Sequence, residues 1–179
     1  MNIYQELRRQ WRSRTSTILF AAVIVTLCTS ATIVTSVDFS GEWKLNEQKS
    51  ELGQFGGRGA AKAIKVTSSD AKGIAIERTS TNQNGEAVVR KETLTFDGKE
   101  SESTGGFGNS TRKATAKWSD DGNALTVNYI LNLDFNGQAF EVKGTETWTL
   151  SSDGKTLTVQ TNAASPQGDL ASKAVYDKQ

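Results

Sequence analysis

Histidine is absent from this 179-residue chain, and cysteine and proline occur once each. Without histidine there is no Ser-His-Asp or Cys-His constellation, no imidazole metal ligand and no ordinary side chain that titrates near neutrality. The lone thiol, Cys28, excludes an intrachain disulfide and a cysteine-cluster zinc site. A surplus of one charge is also lacking. With 21 basic and 20 acidic residues the chain carries +1, so no basic surface for a phosphate backbone is expected, and no nucleic-acid partner. Acid–base work would rest on Glu92, Glu146 or Tyr129 alone, so the chain reads as a non-enzyme with no catalytic residue, no metal and no cofactor. What is present is enough apolar material, 36% of residues, for one domain with a core.

Residues 1–14 hold Arg8, Arg9, Arg12 and Arg14 against Glu6, and an apolar run from Ile18 to Val25 follows. A basic start before a short apolar stretch reads as a secretory signal, with small residues at Ser30, Ala31 and Ser36 near the expected cut. Residues 18–37 are also about as long as a membrane anchor, so two readings of 1–36 stand: signal peptide or anchor. The expected location is accordingly periplasmic or secreted, with membrane attachment only if this segment is retained. Four of the 21 basic and one of the 20 acidic residues lie before residue 37, leaving 17 against 19 and a net −2 for 37–179.

From residue 38 onward, turn signals recur: Asp70–Gly73, Gln83-Asn84-Gly85, Asp97-Gly98, Asp121-Gly122, Asn136-Gly137 and Asp153-Gly154. Asn-Gly and Asp-Gly between β-rich runs are strong hairpin signals. No long helical period appears after residue 37, although 46–52 suits a turn or two of helix. The spacing predicts strands near 39–45, 61–68, 72–79, 87–96, 98–103, 111–119, 123–135, 138–150, 155–162 and 171–177. The expected class is all-β: an antiparallel up-and-down meander of eight to ten strands closed into a barrel, with a two-sheet sandwich as the alternative.

Two-residue loops fix a register. Asn136-Gly137 sets Leu133 against Phe140, Leu131 against Val142, Val127 against Glu146 and Leu125 against Trp148. Asp121-Gly122 sets Trp118 against Leu125, Ala116 against Val127 and Ala114 against Tyr129. Asp153-Gly154 sets Leu150 against Leu157 and Trp148 against Val159. The three hairpins agree on the buried face, which a one-residue slip would invert. A three-residue loop at 83–85, with Gly85 left-handed, sets Ile74 against Leu94.

The segment Asp38-Phe39-Ser40-Gly41-Glu42-Trp43-Lys44-Leu45-Asn46 with Lys49-Ser50, the Asp-Gly-Lys turns at 97–99 and 153–155, and the closing residues Lys173 to Gln179 resemble secreted bacterial lipocalin-like domains. Gly41-x-Trp43 is similar to the Gly-x-Trp signature of the wider calycin group. The resemblance covers residues 38–179. It implies an up-and-down barrel with room for an apolar ligand, and no established activity for the bacterial branch. Lipocalins place a last-strand arginine over that tryptophan; this chain offers Lys173 or Lys178.

The same parity turns charges inward. Arg78 aligns with Ile74 and Ile76, Arg90 and Glu92 with Leu94, Arg112 with Ala114 and Ala116, and Glu146 with Val142 and Trp148. Buried charges are costly unless paired, so the set needs partners or a ligand. Tyr129 lies between Ala114 and Gly144, which fits either tight packing or a cleft with the phenol as its handle. Trp118, beside the turn at 120–122, is placed to line a barrel mouth. Glycine stretches 53–59 and 105–108 lack a phosphate-loop ending and read as mobile loops, each with a phenylalanine, Phe55 or Phe107, able to flap over an opening.

Two functions follow. In the first, Tyr129, Arg78, Arg90, Arg112, Glu92, Glu146 and Trp118 hold a small hydrophobic or amphipathic, anionic ligand in the barrel. In the second, the charges form a salt-bridge plug and the domain is a structural or interaction module with a filled core.

Overall fold

A computed structural model describes residues 36–53, 60–82, 84–106, 110–135, 137–166 and 168–179. The signal or anchor reading of 1–36 therefore falls, apart from Ser36, outside the described residues, as do Cys28, Phe55 and Phe107. The strands are β1 (Gly41–Leu45), β2 (Ala63–Ser69), β3 (Gly73–Thr81), β4 (Ala87–Thr95), β5 (Ser101–Thr104), β6 (Thr111–Trp118), β7 (Ala124–Phe135), β8 (Gln138–Leu150), β9 (Thr156–Ser165) and β10 (Gly168–Lys178). A 3-10 turn, Glu47–Lys49, is capped by the Asn46 side chain.

These ten strands form one antiparallel sheet in the order β4-β3-β2-β1-β10-β9-β8-β7-β6-β5. One continuous sheet in this order is an up-and-down barrel, not a sandwich. Its two edges, β4 and β5, are consecutive in the chain and meet at one bridge, Arg90 to Gly105. The barrel is therefore nearly closed, with its seam along the β4–β5 hairpin.

The expected pairs are present: Leu133 faces Phe140, Val127 faces Glu146, Trp118 faces Leu125, Trp148 faces Val159 and Ile74 faces Leu94. The loop lengths differ from expectation. At 119–124 and 151–156 the loops are four residues long, not two. Ser119 N–H donates to Ala124 O at 2.8 Å, and Ser151 N–H to Thr156 O at 2.9 Å. In each, the aspartate caps the turn. Asp121 accepts from Ser119 Oγ and the Asn123 N–H; Asp153 accepts from Ser151 Oγ and the Lys155 N–H. Gly122 and Gly154 follow at φ of 70° and 68°, where a side chain would be strained. A four-residue loop centred on the same bond preserves the pair sums, so the registers survive the change of turn.

Alternation sets the core. In β6 the residues Arg112, Ala114 and Ala116 are buried, with lysines and threonines between them. β-branched threonines on the outward parity suit a pleated surface. One cluster gathers the buried apolar residues, including Phe39, Trp43, Ile64, Ile76, Leu94, Leu125, Val127, Trp148, Leu157 and Tyr176. β2 carries a bulge between Val66 and Ser68, after which its pairing with β3 resumes one residue out of step.

Candidate functional site

The barrel interior reads as three levels. The floor lies at the end holding the turns at 69–73, 95–101, 118–124 and 150–156. Residues 36–40 run across it, tied by Val37 N–H to Gly122 O at 3.1 Å. Phe39, fully buried, stacks on Trp118 with centroids 5.5 Å apart and meets Trp148 edge-on at 5.9 Å. Trp43 Nε1 donates to Phe39 O at 2.9 Å, and the Lys178 ammonium lies 5.2 Å from the Trp43 ring centroid. Of the two lysines offered by the sequence, Lys178 is the one over the tryptophan. Trp118 thus belongs to the floor, against Phe39 and Phe96, and not to the level of Tyr129.

The middle level is ionic. Arg112 Nη1 donates to both carboxylate oxygens of Glu92, at 2.7 and 2.8 Å, and Arg112 Nη2 to Glu146 Oε1 at 3.0 Å. Arg78 Nη2 donates to Glu146 Oε2 at 2.6 Å, and its Nε lies 3.4 Å from Glu92 Oε1. Trp148 Nε1 adds a bond to Glu146 Oε2 at 3.0 Å. Each arginine touches both glutamates, closing a neutral ring of two cations and two anions. Side-chain exposures of 14% (Arg78), 2% (Glu92), 5% (Arg112) and 10% (Glu146) make it a buried network. Arg78 Nε is buried and lacks a hydrogen-bond partner of proper geometry.

Electrostatics follow from this arrangement. Burial opposes the Glu146 charge, but the guanidiniums of Arg112 and Arg78 outweigh it and hold the carboxyl at about 2. Burial likewise opposes the charge of Arg78, and Glu146 and Glu92 more than offset it, raising its pKa. Glu146 has no proton to give at neutral pH, so it cannot act there as a general acid.

Tyr129 sits beside this ring. The Arg112 guanidinium lies 4.4 Å from its ring centroid. Burial, aided by Glu146, pushes the phenol up to about 12 against the opposing arginines. A Cβ at Gly144 would lie 2.5 Å from Tyr129 Oη and 2.9 Å from Ala163 Cβ. The space between Ala114 and Gly144 is thus filled by the tyrosine itself, which is the tight-packing alternative.

Beyond the ring, at the end holding the hairpins 81–87 and 135–138, is the rim. Leu131, Leu133, Phe140, Val142 and Leu170 share the inward parity with Val127, Glu146 and Ala174, yet are only half-buried. Arg90, the cross-strand partner of Arg78, lies between the ring and this level. Its Nη2 donates to Gly105 O at 2.7 Å and to Ser110 Oγ, so it staples the seam without a carboxylate. Burial lowers its pKa, an effect the nearby Glu92 only partly relieves. Arg78, Glu92, Arg112, Glu146 and Tyr129 are thus brought together, Arg90 faces Arg78 across β3–β4 without an ion pair in the ring, and Trp118 lies on the floor.

Sequence reasoning missed Phe39 as the floor, the rim leucines and Phe140 as a set, and Ser110 as a partner of Arg90. Ser110 was within reach, since it shares the parity of Arg112. An open depression of about 710 Å³ spans β6 to β10; outward-parity residues such as Lys113, Asn128 and Thr145 line most of it, and Ala114, Tyr129, Gly144 and Leu170 border it as well.

No family model and no curated protein matches the chain. Among solved structures, the crystal structure of zebrafish ileal bile acid-binding protein complexed with cholic acid is similar over 79% of this chain and 98% of that one, at 17% identity and a TM-score of 0.45.

Proposed function

We propose that this domain is an exported, non-catalytic carrier of a small amphipathic molecule, whose apolar body lies against the rim. The observation that carries this reading is the contrast between the two ends of the barrel. One end is sealed by Phe39 on Trp118, whereas the inward side chains of the other, Leu131, Leu133, Phe140, Val142 and Leu170, are left half-buried among the described residues. A concave apolar surface bordered by a few polar groups suits a ligand with a hydrophobic body and one polar end. Export rests on the basic start and apolar run of residues 1–36.

A second reading is favoured by a different observation. The ionic ring is closed and neutral, and Tyr129 fills the space beside Gly144, which fits a filled barrel serving as a structural or interaction module. Nile red, a neutral apolar dye, separates the two. The carrier reading expects saturable fluorescence enhancement with the wild type, lost in the Leu133→Asn/Phe140→Asn double variant while the urea midpoint shifts little. Absence of saturable uptake by the folded wild type would leave the filled-barrel reading in place.

A further inference from the structure

The inward-facing charges do not balance. Three arginines, Arg78, Arg90 and Arg112, face two glutamates, Glu92 and Glu146, and the ring joins all of these except Arg90. Arg90 is 8% exposed and forms no salt bridge with any described residue. Its described hydrogen bonds, to Gly105 O and Ser110 Oγ, both run through Nη2 and both end on neutral acceptors. A guanidinium carries five N–H donors in a planar fork, so Nη1 and Nε bring donors that no described acceptor takes up. A buried cation without an anion is costly, and this one is retained beside two carboxylates already engaged by other arginines.

Register shows what lies next to it. Arg90 bridges Gly105, and the Gly105 N–H donates to Ser110 O at 3.1 Å. Continuing the β6–β7 register by one pair brings Ser110 level with Leu133, which faces Phe140. On its other side Arg90 pairs with Arg78 of the ionic ring, so the unbalanced cation borders both the ring and the apolar rim. A cation bordering a half-buried apolar collar is complementary to an anion on a hydrophobic body.

We propose that Arg90 is the receptor for an anionic headgroup, a carboxylate or sulfonate, and that Arg78 and Arg112 take no part in ligand recognition because their charges are already matched within the ring. The proposal rests on the rim reading above and assigns the polar end of that ligand. Both two-pronged edges of the guanidinium include Nη2, so the anion would take a single charge-assisted bond from Nη1 while Nη2 keeps the seam closed. The seam then becomes part of the site: Ser110 and Gly105 orient Arg90, and Arg90 orients the ligand.

The test compares two probes that differ only in charge, dansylaminoundecanoic acid and its methyl ester, titrated by fluorescence into the purified full chain. The wild type is expected to bind the acid about tenfold or more tightly than the ester, as a charge-assisted hydrogen bond requires. Raising the salt should narrow that ratio. In Arg90→Gln the ratio of acid to ester affinity should fall to about one, and Arg90→Lys should restore part of it. Equal binding of acid and ester by the wild type would overturn the Arg90 assignment and leave the carrier reading standing. Binding of neither would overturn both. Should Arg90→Gln fail to fold, the wild-type ratio and its salt dependence decide the matter alone.

Discussion

Replacing Glu146 with glutamine is the sharpest probe of the ionic ring. The substitution keeps shape and a hydrogen-bonding carbonyl but deletes one of the two negative charges. Arg78 and Arg112, with side chains 14% and 5% exposed, would then share Glu92 alone. Breaking a buried pair by removing one partner costs about 3–5 kcal/mol, since the remaining charge stays desolvated. Glu146 serves both arginines and also accepts from Trp148 Nε1, so the upper half of that range is expected. Urea unfolding followed by tryptophan fluorescence at neutral pH measures it directly, and Trp148 reports locally. A loss below about 1 kcal/mol, the size of an exposed ion pair, would refute a buried, closed ring. The complementary experiment replaces all four members together, as Arg78→Met, Glu92→Leu, Arg112→Met and Glu146→Leu. Concerted apolar replacement of buried ion pairs is often neutral or stabilising, so the quadruple variant is expected to be at least as stable as Glu146→Gln.

The other expectations concern pH and side-chain packing. Because Glu146 is held at about 2, below its ordinary 4.5, its contribution is fully present above about pH 4.5 and lost as pH falls through 2. That shift corresponds to about 3 kcal/mol, so an acid titration of unfolding free energy should fall by that much more in the wild type than in Glu146→Gln. Tyr129, raised to about 12, contributes below pH 10 and loses that contribution as pH rises through 12. Tyrosinate absorbance in Tyr129→Phe should therefore differ from the wild type only above about pH 11. Trp43→Ala should cost about 3–5 kcal/mol, since the ring is 1% exposed and its indole N–H holds Phe39; an unchanged thermal midpoint would remove its structural role. Gly144→Ala should cost about 1–3 kcal/mol by overpacking against Tyr129 and Ala163, and less in a Tyr129→Leu background.

Much of the fold was legible because antiparallel pairing is arithmetic. Leu125 to Trp148 and Ile74 to Leu94 follow from where the turns are centred, whatever the turn type. Turn type itself was misread because Asp-Gly marks both two- and four-residue loops. The further signal was Ser119 and Ser151, two residues before each aspartate, whose hydroxyls close the longer loop. The seam was not foreseen, since Asp97-Gly98 looks like any other hairpin turn. Ser101 and Ser103 offer β4 no apolar partner, and the bond at Arg90 and Gly105 is the bridge that remains. Parity correctly turned five charges inward, but it could not say which touch. Arg78 and Glu146 are 68 residues apart and meet only because the barrel closes.

The most direct measurement of the carrier reading is a two-dimensional amide NMR titration of the isotopically labelled chain with dansylaminoundecanoic acid. The account predicts saturable shifts concentrated at Arg90, Leu131, Leu133, Phe140, Val142 and Leu170, with Phe39, Trp43 and Leu125 on the floor unmoved. Shifts confined to Asn128, Thr145 and Asn162 on the outer depression, or no saturable shifts at all, would contradict it.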